Sequence, residues 1–342
     1  MKKFTSIQPI VYLLGFAGGT LLIVLLLREG AGQVGLAIAR AGWGLLAITI
    51  YHLAQTLSDT VGWLVLIPKE NRVRLSRGFI LNWIGESINN LLPTARVGGD
   101  IVIARLAAMW GMPLRTATAA IIVDVTIGIV TKVFYIVAAA ILLVAATGRS
   151  DLARPALVAV VTGTLAVSGF YAAQRMGIFR FSATLASRLA RSPGWNSLVQ
   201  GGEAIDQTIR VLYARRGGVA GCYLFWILSW IIASGEIWIA LRVLGLRASF
   251  STAIILESGS LAIRGAAFLV PGALGVQEGG YILLGNLLGI SGDIALALSL
   301  LRRVRELALG IPGLVVWQLI EAGRLRRRPV SMSLPAVSED RS

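Results

Sequence analysis

Charged residues recur inside stretches of the sequence that are otherwise apolar, and their types suit the binding of a charged group. Arg302, Arg305 and Glu306 are spaced so that they share one face of a helix. Asp124 and Lys132 lie within another apolar run. Arginines bind phosphates and other anions, whereas carboxylates hold cations or carry protons. The residue types leave both kinds of chemistry open.

Two polar motifs each surround a proline in the middle of an apolar stretch. The first is "NNLLPTARVGGD" (89–100) and the second is "AFLVPGALGVQEGG" (267–280). Asp100 and Glu278 each lie seven residues after their proline. Proline removes a backbone donor and glycine ends helices, so each motif predicts a broken helix whose free ends face a polar group.

The charged residues of these apolar stretches are the candidates for substrate binding. They are Arg96, Asp100, Arg105, Asp124, Arg264, Glu278, Arg302, Arg305 and Glu306, with Asp59, Glu86, Glu236 and Glu257 as secondary candidates.

A purely structural interpretation of the same charges is equally open. In that interpretation the charges only neutralise one another. The pairs would be Arg96 with Asp100, Glu257 with Arg264, and Asp124 with a residue on another helix.

Composition places these residues in a membrane protein. The chain has 342 residues, of which 56% are hydrophobic and 14% charged, and its mean hydropathy is +0.76. These values are typical of a polytopic membrane protein. The net charge of +15 does not indicate a nucleic-acid partner, because the arginines fall between apolar runs rather than on one basic face.

The single cysteine and the single histidine exclude several kinds of site. Cys222 alone cannot form a disulfide framework or a thiolate cluster, and His52 alone cannot form a multi-histidine metal site. We therefore expect no metal and no cofactor. Cys222 is expected to be a small buried hydrophobe, and His52 a polar anchor near the membrane interface.

The apolar runs predict an all-α polytopic membrane protein with about six transmembrane helices and two broken re-entrant hairpins. Six runs approach or exceed the roughly 20 residues that a spanning helix needs. The first resembles a signal peptide but lacks a small-residue cleavage site, so we expect it to be retained. The spans are 9–27, 43–67, 117–146, 155–173, 219–241 and 294–320, and the hairpins are 79–110 and 250–288.

The distribution of basic residues predicts the orientation of these spans. The basic segments are 69–77, 174–218 and 324–328, and the positive-inside rule places them in the cytoplasm with both termini. Residues 174–218 are expected either to form amphipathic helices on anionic lipid headgroups or to be a solvated linker. The membrane domain then covers 1–328, and the tail 329–342 is expected to be disordered.

An internal repeat is predicted from matching positions in the two halves. Pro93 and Pro271, Asp100 and Glu278, and Asp124 and Arg302 are each separated by 178 residues, and Asp59 and Glu236 by 177. The repeats would cover about 43–146 and 219–320, and they would cross the bilayer in opposite directions. Inverted repeats with broken helices near the midplane are typical of transporters.

The sequence contains no dense catalytic motif, and we expect the protein not to be an enzyme. The segment "GGDIVIARLAAMWG" (98–111) faintly resembles CDP-alcohol phosphotransferases, but it lacks their paired downstream aspartates. "GGD" alone is weak as a phosphate-binding loop because no strand precedes it.

Four segments resemble the lysylphosphatidylglycerol synthase transmembrane family, the flippase-like membrane domain, and within it the hopanoid-associated branch. They are "GESINNLLPTARVGGDIVIARL" (85–106), "VDVTIGIVTKVFY" (123–135), "RGAAFLVPGALGVQEGGYILLG" (264–285) and "LALSLLRRVRELALGIPGL" (296–314). The positions that the resemblance implies for substrate binding or translocation are Asn90, Pro93, Arg96, Gly98, Gly99, Asp100, Arg105, Asp124, Pro271, Gly272, Gly275, Glu278, Arg302 and Glu306.

This resemblance implies translocation of a hopanoid or another lipid with a polar headgroup between the leaflets of the bacterial inner membrane. Larger members of the family carry a soluble aminoacyltransferase domain, and we expect no lysyl transfer from a chain that ends soon after "RLRRR" (324–328). The alternative is a membrane enzyme or accessory subunit of hopanoid or polyprenyl lipid modification. Lipid-biosynthesis enzymes are then expected partners.

The predicted orientation can be tested by labelling. Single cysteines placed in residues 147–153 should react with a membrane-impermeant reagent added to intact cells, because that loop is predicted to lie outside. Single cysteines in residues 70–76 should react only after the cells are opened. The reverse pattern would contradict the inverted arrangement.

Overall fold

The structure is a computed structural model, and its described residues form nine α-helices, one short 3₁₀ helix and no β-strand. It describes residues 41–92, 97–148, 195–266 and 275–327, and isolated residues at 39, 161–176, 270 and 273. The helices are α1 Trp43–Leu66, α2 Leu75–Leu91, α3 Gly98–Met109, α4 Leu114–Thr147, α5 Trp195–Ala214, α6 Arg216–Val243, α7 Phe250–Ala266, α8 Val276–Leu287 and α9 Gly292–Arg327, and the 3₁₀ helix is Lys69–Asn71.

Helices α1 and α6 form a central antiparallel pair that packs through glycines. Gly44 at the start of α1 lies against Val243 at the end of α6. In the other direction, Gly218 lies 3.0 Å, measured from an added Cβ, from the carbonyl oxygen of Val65. Small residues let two helix backbones approach closely, which is how helices associate where water provides no driving force.

Two arginines from different predicted basic loops meet at the carboxyl end of α1. Arg72 donates from Nε to the carbonyl oxygen of Ile67 at 2.7 Å and from Nη2 to that of Val65 at 3.1 Å. Arg215 donates to the carbonyl oxygen of Leu66. These bonds satisfy carbonyl groups that a helix leaves free at its last turn. We call this end of the molecule the basic end.

Helices α2 and α3 form an antiparallel pair that begins and ends at the basic end. The backbone N–H of Gly99 donates to Oδ1 of Asn89 at 2.9 Å, and Gly85 packs on Ile103. At the basic end, the guanidinium carbon of Arg77 lies 5.8 Å from the ring centre of Trp110. The two helices are the arms of the first predicted hairpin, and we call them the first broken pair.

Helices α7 and α8 form a second broken pair, which begins and ends at the opposite end of the molecule. Gly259 packs on Leu284, and Gly280 packs on Ile263, so these helices are also antiparallel. The chain enters α7 directly after α6 ends, and Gly285 near the end of α8 packs on Ala295 of α9. The two pairs therefore extend into the helix bundle from opposite ends.

The helix boundaries recur with the offset that the sequence motifs have. Helix α3 spans residues 98–109 and α8 spans 276–287, an offset of 178 at both ends. Helices α4 and α9 begin at 114 and 292, again 178 apart, and α1 and α6 end 177 apart at 66 and 243. The proposed repeats of about 43–146 and 219–320 correspond to α1–α4 and α6–α9.

Two of the helices, α4 and α6, are long and apolar enough to cross a bilayer by length and composition, within the part of the chain that was searched. The predicted number of six spans and the inverted repeat across a bilayer stay predictions. The first predicted span, most of 155–173, and the tail 329–342 lie outside the described residues. So do the prolines Pro93 and Pro271, together with Arg96 and Gly272.

Helix α5 covers residues 195–214 of segment 174–218, and part of its apolar face packs on the protein. Its apolar face was expected to rest on lipid headgroups or to be solvated, but Ile209 and Leu212 are 0% and 1% exposed in the main hydrophobic core. Helix α5 packs against α4 and α6. At these two positions the amphipathic pattern reflects packing on the protein, since an apolar helix face can be covered by protein or by lipid. Contact of the segment with lipid headgroups stays a prediction.

The close contact within the first broken pair predicts a large effect of one methyl group. A Cβ at Gly99 would overlap the carbonyl oxygen of Gly85. Gly99→Ala should therefore lower the free energy of unfolding by about 1–3 kcal/mol, the usual range for overpacking. Denaturation of the detergent-solubilised protein measures this change.

Gly201→Ala is the matched control, because a Cβ at Gly201 in α5 meets no atom within 4 Å among the described residues. It should leave stability unchanged or raise it by up to about 1 kcal/mol, since alanine favours helix over glycine. If Gly99→Ala is as stable as the wild-type protein, the close approach of α2 and α3 is not a constraint on the fold.

Candidate functional site

Ten ionisable side chains meet where α1, α2, α6, α7, α8 and α9 come together. Most are buried, and Glu278, Glu236 and Arg305 are 0%, 1% and 2% exposed. We call this set the central charge cluster. Its members are His52, Glu86, Glu236, Glu257, Arg264, Glu278, Arg302, Arg303, Arg305 and Glu306.

Helix α9 supplies four of these charges within five residues. Arg302, Arg305 and Glu306 lie on one buried face, as their spacing predicts. Arg303 points to a neighbouring side, toward α8. Helical spacing thus distributes consecutive charges over several facing helices. Each of these facing helices provides a carboxylate or a polar partner.

Arg302 is held by the second broken pair. Its Nη1 donates to Oε2 of Glu257 on α7 and to the hydroxyl of Tyr281 on α8, and its Nη2 donates to Oε1 of Glu257 at 3.4 Å. Its Nε lies 3.9 Å from Oε1 of Glu236. Two carboxylates therefore compensate one buried guanidinium, which is the condition for burying such a charge at all.

Arg305 and His52 connect the central pair α1–α6 to the first broken pair. The Nη2 of Arg305 lies 3.0 Å from Oε1 of Glu236. The Nδ1 of His52 lies 2.8 Å from Oε2 of Glu236, and its Nε2 lies 2.7 Å from Oε1 of Glu86. Thr56 donates to the other oxygen of Glu86 at 3.2 Å. The imidazole is thus placed between two carboxylates.

The two broken pairs touch through Arg264. This residue of α7 donates from Nη2 to Oδ1 of Asn90 on α2 at 3.3 Å, and from Nη1 to Oε1 of Glu306 at 3.0 Å. Arg303 donates to Oε1 of Glu278 at 3.0 Å. Its Nη1 also lies 3.6 Å from Oε2 of Glu306. Glu306 therefore joins the cations of two different helices.

The cluster combines five carboxylates with four guanidinium groups and one imidazole. It is electrically balanced only when the imidazole carries its second proton. Some buried polar atoms have no hydrogen-bond partner among the described residues, including Oε2 of Glu278 and Nη2 of Arg303. The ion pair of Glu278 and Arg303 therefore contains one buried acceptor atom and one buried donor atom without a described partner.

Asp124 and Asp59 lie at a separate polar site between α1, α4 and α6. Asp124 accepts a hydrogen bond from Nε1 of Trp226 at 3.0 Å and one from the thiol of Cys222 at 3.3 Å. Cys222 is fully buried, as expected, but it also serves as a donor. Oδ1 of Asp59 has no partner among the described residues. Both acids thus lie outside the central charge cluster.

Three other predicted site residues, Arg105, Asp100 and Gly275, lie in α3 or directly before α8. Arg105 forms an ion pair of 2.8 Å with Glu321, and its side chain is about half exposed at 51%. Asp100 lies in the first turn of α3, which begins at Gly98. Gly275 precedes α8 with φ of 73°, a left-handed conformation that favours glycine.

Sequence reasoning missed three members of the site. His52 was expected near the membrane interface, but it is 4% exposed inside the cluster. Arg303 and Tyr281 were not among the candidates. The signal for His52 was present, because His52, Thr56 and Asp59 recur at i, i+4 and i+7 on one face of α1. A polar stripe of this kind on an apolar helix indicates a buried polar partner.

The predicted pairing of Glu257 with Arg264 is wrong. Glu257 pairs with Arg302, and Arg264 pairs with Glu306. Both partners come from α9, because the two residues of α7 face that helix and not each other. The expected partner of Asp124 on another helix is present, but it is a pair of neutral donors.

A cavity of about 350 Å³ lies apart from these charges, between α4, α5, α6 and isolated residues of 164–171. Its wall is mainly apolar, with hydroxyl groups from threonine, serine and tyrosine. None of the residues predicted for the site lines it. Examples of its lining are Ile127, Val133, Phe134, Tyr213 and Tyr223.

The pairing of Arg302 with Glu257 predicts a specific pattern of stability. Glu257→Leu should lower the free energy of unfolding by about 3–5 kcal/mol, because it leaves a buried guanidinium short of one carboxylate. The double variant Glu257→Leu with Arg302→Met should recover much of that loss, since neither charge remains. Denaturation in detergent compares the variants, and a double variant less stable than the single would contradict the pairing.

Comparison with known proteins supports the resemblance that the motifs carry. The family model described as "Lysylphosphatidylglycerol synthase TM region" matches residues 12–313, which include both broken pairs and all members of the central charge cluster. No match is found among curated proteins or among solved structures. The chain is therefore a membrane protein that belongs to the lysylphosphatidylglycerol synthase transmembrane region family.

Proposed function

We propose that the protein moves a lipid with a polar headgroup between the leaflets of the bacterial inner membrane. The observation that carries this proposal is the position of the central charge cluster, where broken helix pairs from opposite ends of the molecule meet. A bundle that needed only stability would place apolar residues there, because buried ion pairs add little to stability. Buried charges in membrane helices are by default a substrate or ion pathway.

The unpartnered atoms of the cluster support one class of headgroup. Nη2 of Arg303 offers a hydrogen bond and a positive charge, which suit a phosphate. Oε2 of Glu278 offers an acceptor, which suits an ammonium or a hydroxyl group. A headgroup with an anionic group beside a donor fits both. A phospholipid or a polyol-bearing hopanoid has this chemistry, and the hopanoid rests on the resemblance to one branch of the family.

An inverted repeat would give this site a route to both leaflets. The shared offset of the helix boundaries and the opposite directions of the two broken pairs support such a repeat. In transporters with inverted repeats, the halves alternate in opening to either side around a fixed central site. Here the headgroup would occupy the site while its hydrocarbon chains stay in the bilayer.

The proposed orientation places the basic end in the cytoplasm. Arg72 and Arg215, from the two basic segments that flank the central pair, both bind the carboxyl end of α1. Segments that meet at one end of a bundle lie on the same side of the membrane, in agreement with the positive-inside rule. Anionic lipid headgroups at that face and enzymes of lipid biosynthesis are the proposed partners.

A membrane enzyme or accessory subunit of lipid modification is the competing function. The two are separated by lipid profiling of a deletion strain. Loss of one lipid species favours modification, whereas unchanged species with an altered leaflet distribution favour transport. No described contact favours modification over transport.

Reconstitution tests the proposal directly. Purified protein in liposomes should accelerate the movement of a fluorescent phospholipid between leaflets over protein-free liposomes, measured by quenching from outside. Arg303→Gln and Glu278→Gln should each slow that movement about tenfold or more, because a hydrogen bond to a charged group is worth about 1.5–3 kcal/mol.

Exposed charges provide matched controls. Arg247→Gln and Glu70→Gln change the same side-chain types at exposed positions away from the cluster, and they should leave the rate unchanged. Native mass spectrometry of the purified protein identifies any lipid that stays bound. If no phospholipid or hopanoid moves and none is bound, translocation is not the function.

A further inference from the structure

We propose that His52, held between Glu86 and Glu236, is a proton-binding site whose two protonation states change the partner of Nε2 and thereby couple a proton to lipid movement. The proton-binding site concerns the central charge cluster alone. The coupling to lipid movement rests on the proposed function. The geometry around the ring carries the inference.

Nε2 of His52 has two competing partners. It lies 2.7 Å from Oε1 of Glu86 and 3.1 Å from Nη1 of Arg305. A protonated Nε2 donates to the carboxylate, whereas a bare Nε2 accepts a hydrogen bond from the guanidinium. One nitrogen cannot do both at once. The same set of atoms therefore provides one hydrogen-bond arrangement for each protonation state.

The other ring nitrogen has the same partner in both states. Nδ1 lies 2.8 Å from Oε2 of Glu236, whose second oxygen lies 3.0 Å from Nη2 of Arg305. Glu236 is thus fixed from two sides and remains an acceptor for Nδ1–H. The neutral ring should therefore keep its proton on Nδ1, because the partner of one nitrogen determines which nitrogen is protonated.

Glu86 provides the path for the proton. Its side chain is 33% exposed, whereas those of His52 and Glu236 are 5% and 2% exposed. On release, the proton passes from Nε2 to Oε1 of Glu86 and from there to water or to a bound headgroup. Nε2 then accepts from Arg305. No other bond changes, and one positive charge leaves the cluster.

The charged groups that surround His52 come from each helix packed beside it. Helix α2 contributes Glu86, α6 contributes Glu236, and α9 contributes Arg305 and, beyond Glu236, Arg302. On α1 itself, Asp59 lies two turns further along. Helix α4 contributes Asp124, which belongs to the separate polar site with Cys222 and Trp226.

Two features would couple proton binding to lipid movement. They are the net charge of the cluster and the position of Glu86 in the first broken pair. The balanced, protonated cluster should bind an anionic headgroup better than the deprotonated cluster, which has a net charge of −1, and the headgroup should in turn favour proton binding. Glu86 also lies one turn before Asn90, which accepts a hydrogen bond from Arg264 of the second broken pair. Loss of the bond to His52 thus weakens the link between α1 and the first broken pair, near the contact of that pair with the second, and leaves the bond from Thr56 to Glu86.

The single histidine makes a direct test possible. The full-length protein, labelled with ¹⁵N-histidine and purified without a polyhistidine tag, contains one imidazole, whose nitrogens can be followed by NMR in lipid nanodiscs. We expect both nitrogens to be protonated at the acidic end of a range of about pH 5–10, and only Nδ1 at the alkaline end. A neutral ring with its proton on Nε2, or a ring that never changes state, overturns the site.

A variant of Glu86 tests the role of this carboxylate in the titration of His52. In Glu86→Gln the amide can donate to a bare Nε2, so the neutral ring is stabilised and the titration midpoint should fall by about one pH unit or more. Glu70→Gln, at an exposed position of the 3₁₀ helix, should leave the midpoint unchanged. An unchanged midpoint in Glu86→Gln contradicts the role of Glu86.

Transport in liposomes tests the coupling separately. Above the midpoint found by NMR, the rate of lipid movement should fall about tenfold per pH unit, because the protonated fraction falls in that proportion. His52→Gln should lose this dependence, and if that variant does not fold, the profile of Glu86→Gln should shift with its NMR midpoint. Lipid movement without any pH dependence overturns the coupling. Titration of the ring as expected without any lipid movement supports the proton site and overturns the transport function.

Discussion

The mutual neutralisation of buried charges is the constraint on which the rest of the structure depends. A charge in an apolar environment is tolerated only when an opposite charge and further hydrogen bonds surround it. Arg302 and Arg305 on α9 meet this condition with carboxylates from α6 and α7. The positions of these helices around α9 are thus tied to the geometry of a few ion pairs, whereas a purely apolar bundle would allow many arrangements.

The sequence predicted the local features well and the long-range partners poorly. Proline and glycine act on their own backbone, so the breaks after Leu91 and before Gly98 could be expected from the first motif. The shared face of Arg302 and Arg305 follows from helical spacing alone. The ion-pair partners are different. Glu257 could pair with cations on its own helix or on others, and only the fold determines that the partner is Arg302.

The position of His52 shows the same limit. The polar stripe on α1 indicates a buried polar partner for His52, but it does not say which one, and the two carboxylates that hold the ring are 34 and 184 residues away in the sequence. Helix α5 shows a related limit. Its amphipathic pattern indicates that an apolar face must be covered, but it does not say whether lipid or protein covers it.

The contacts within and between the broken pairs differ in kind, and this difference determines what can move. Within each pair the helices touch through glycines such as Gly99 and Gly280, and close packing leaves them little freedom. Between the pairs the described side-chain contact is the hydrogen bond from Arg264 to Asn90, and such a polar partner can be exchanged without opening the helices. Each pair is therefore suited to move as a unit, with the central charge cluster as the part that rearranges.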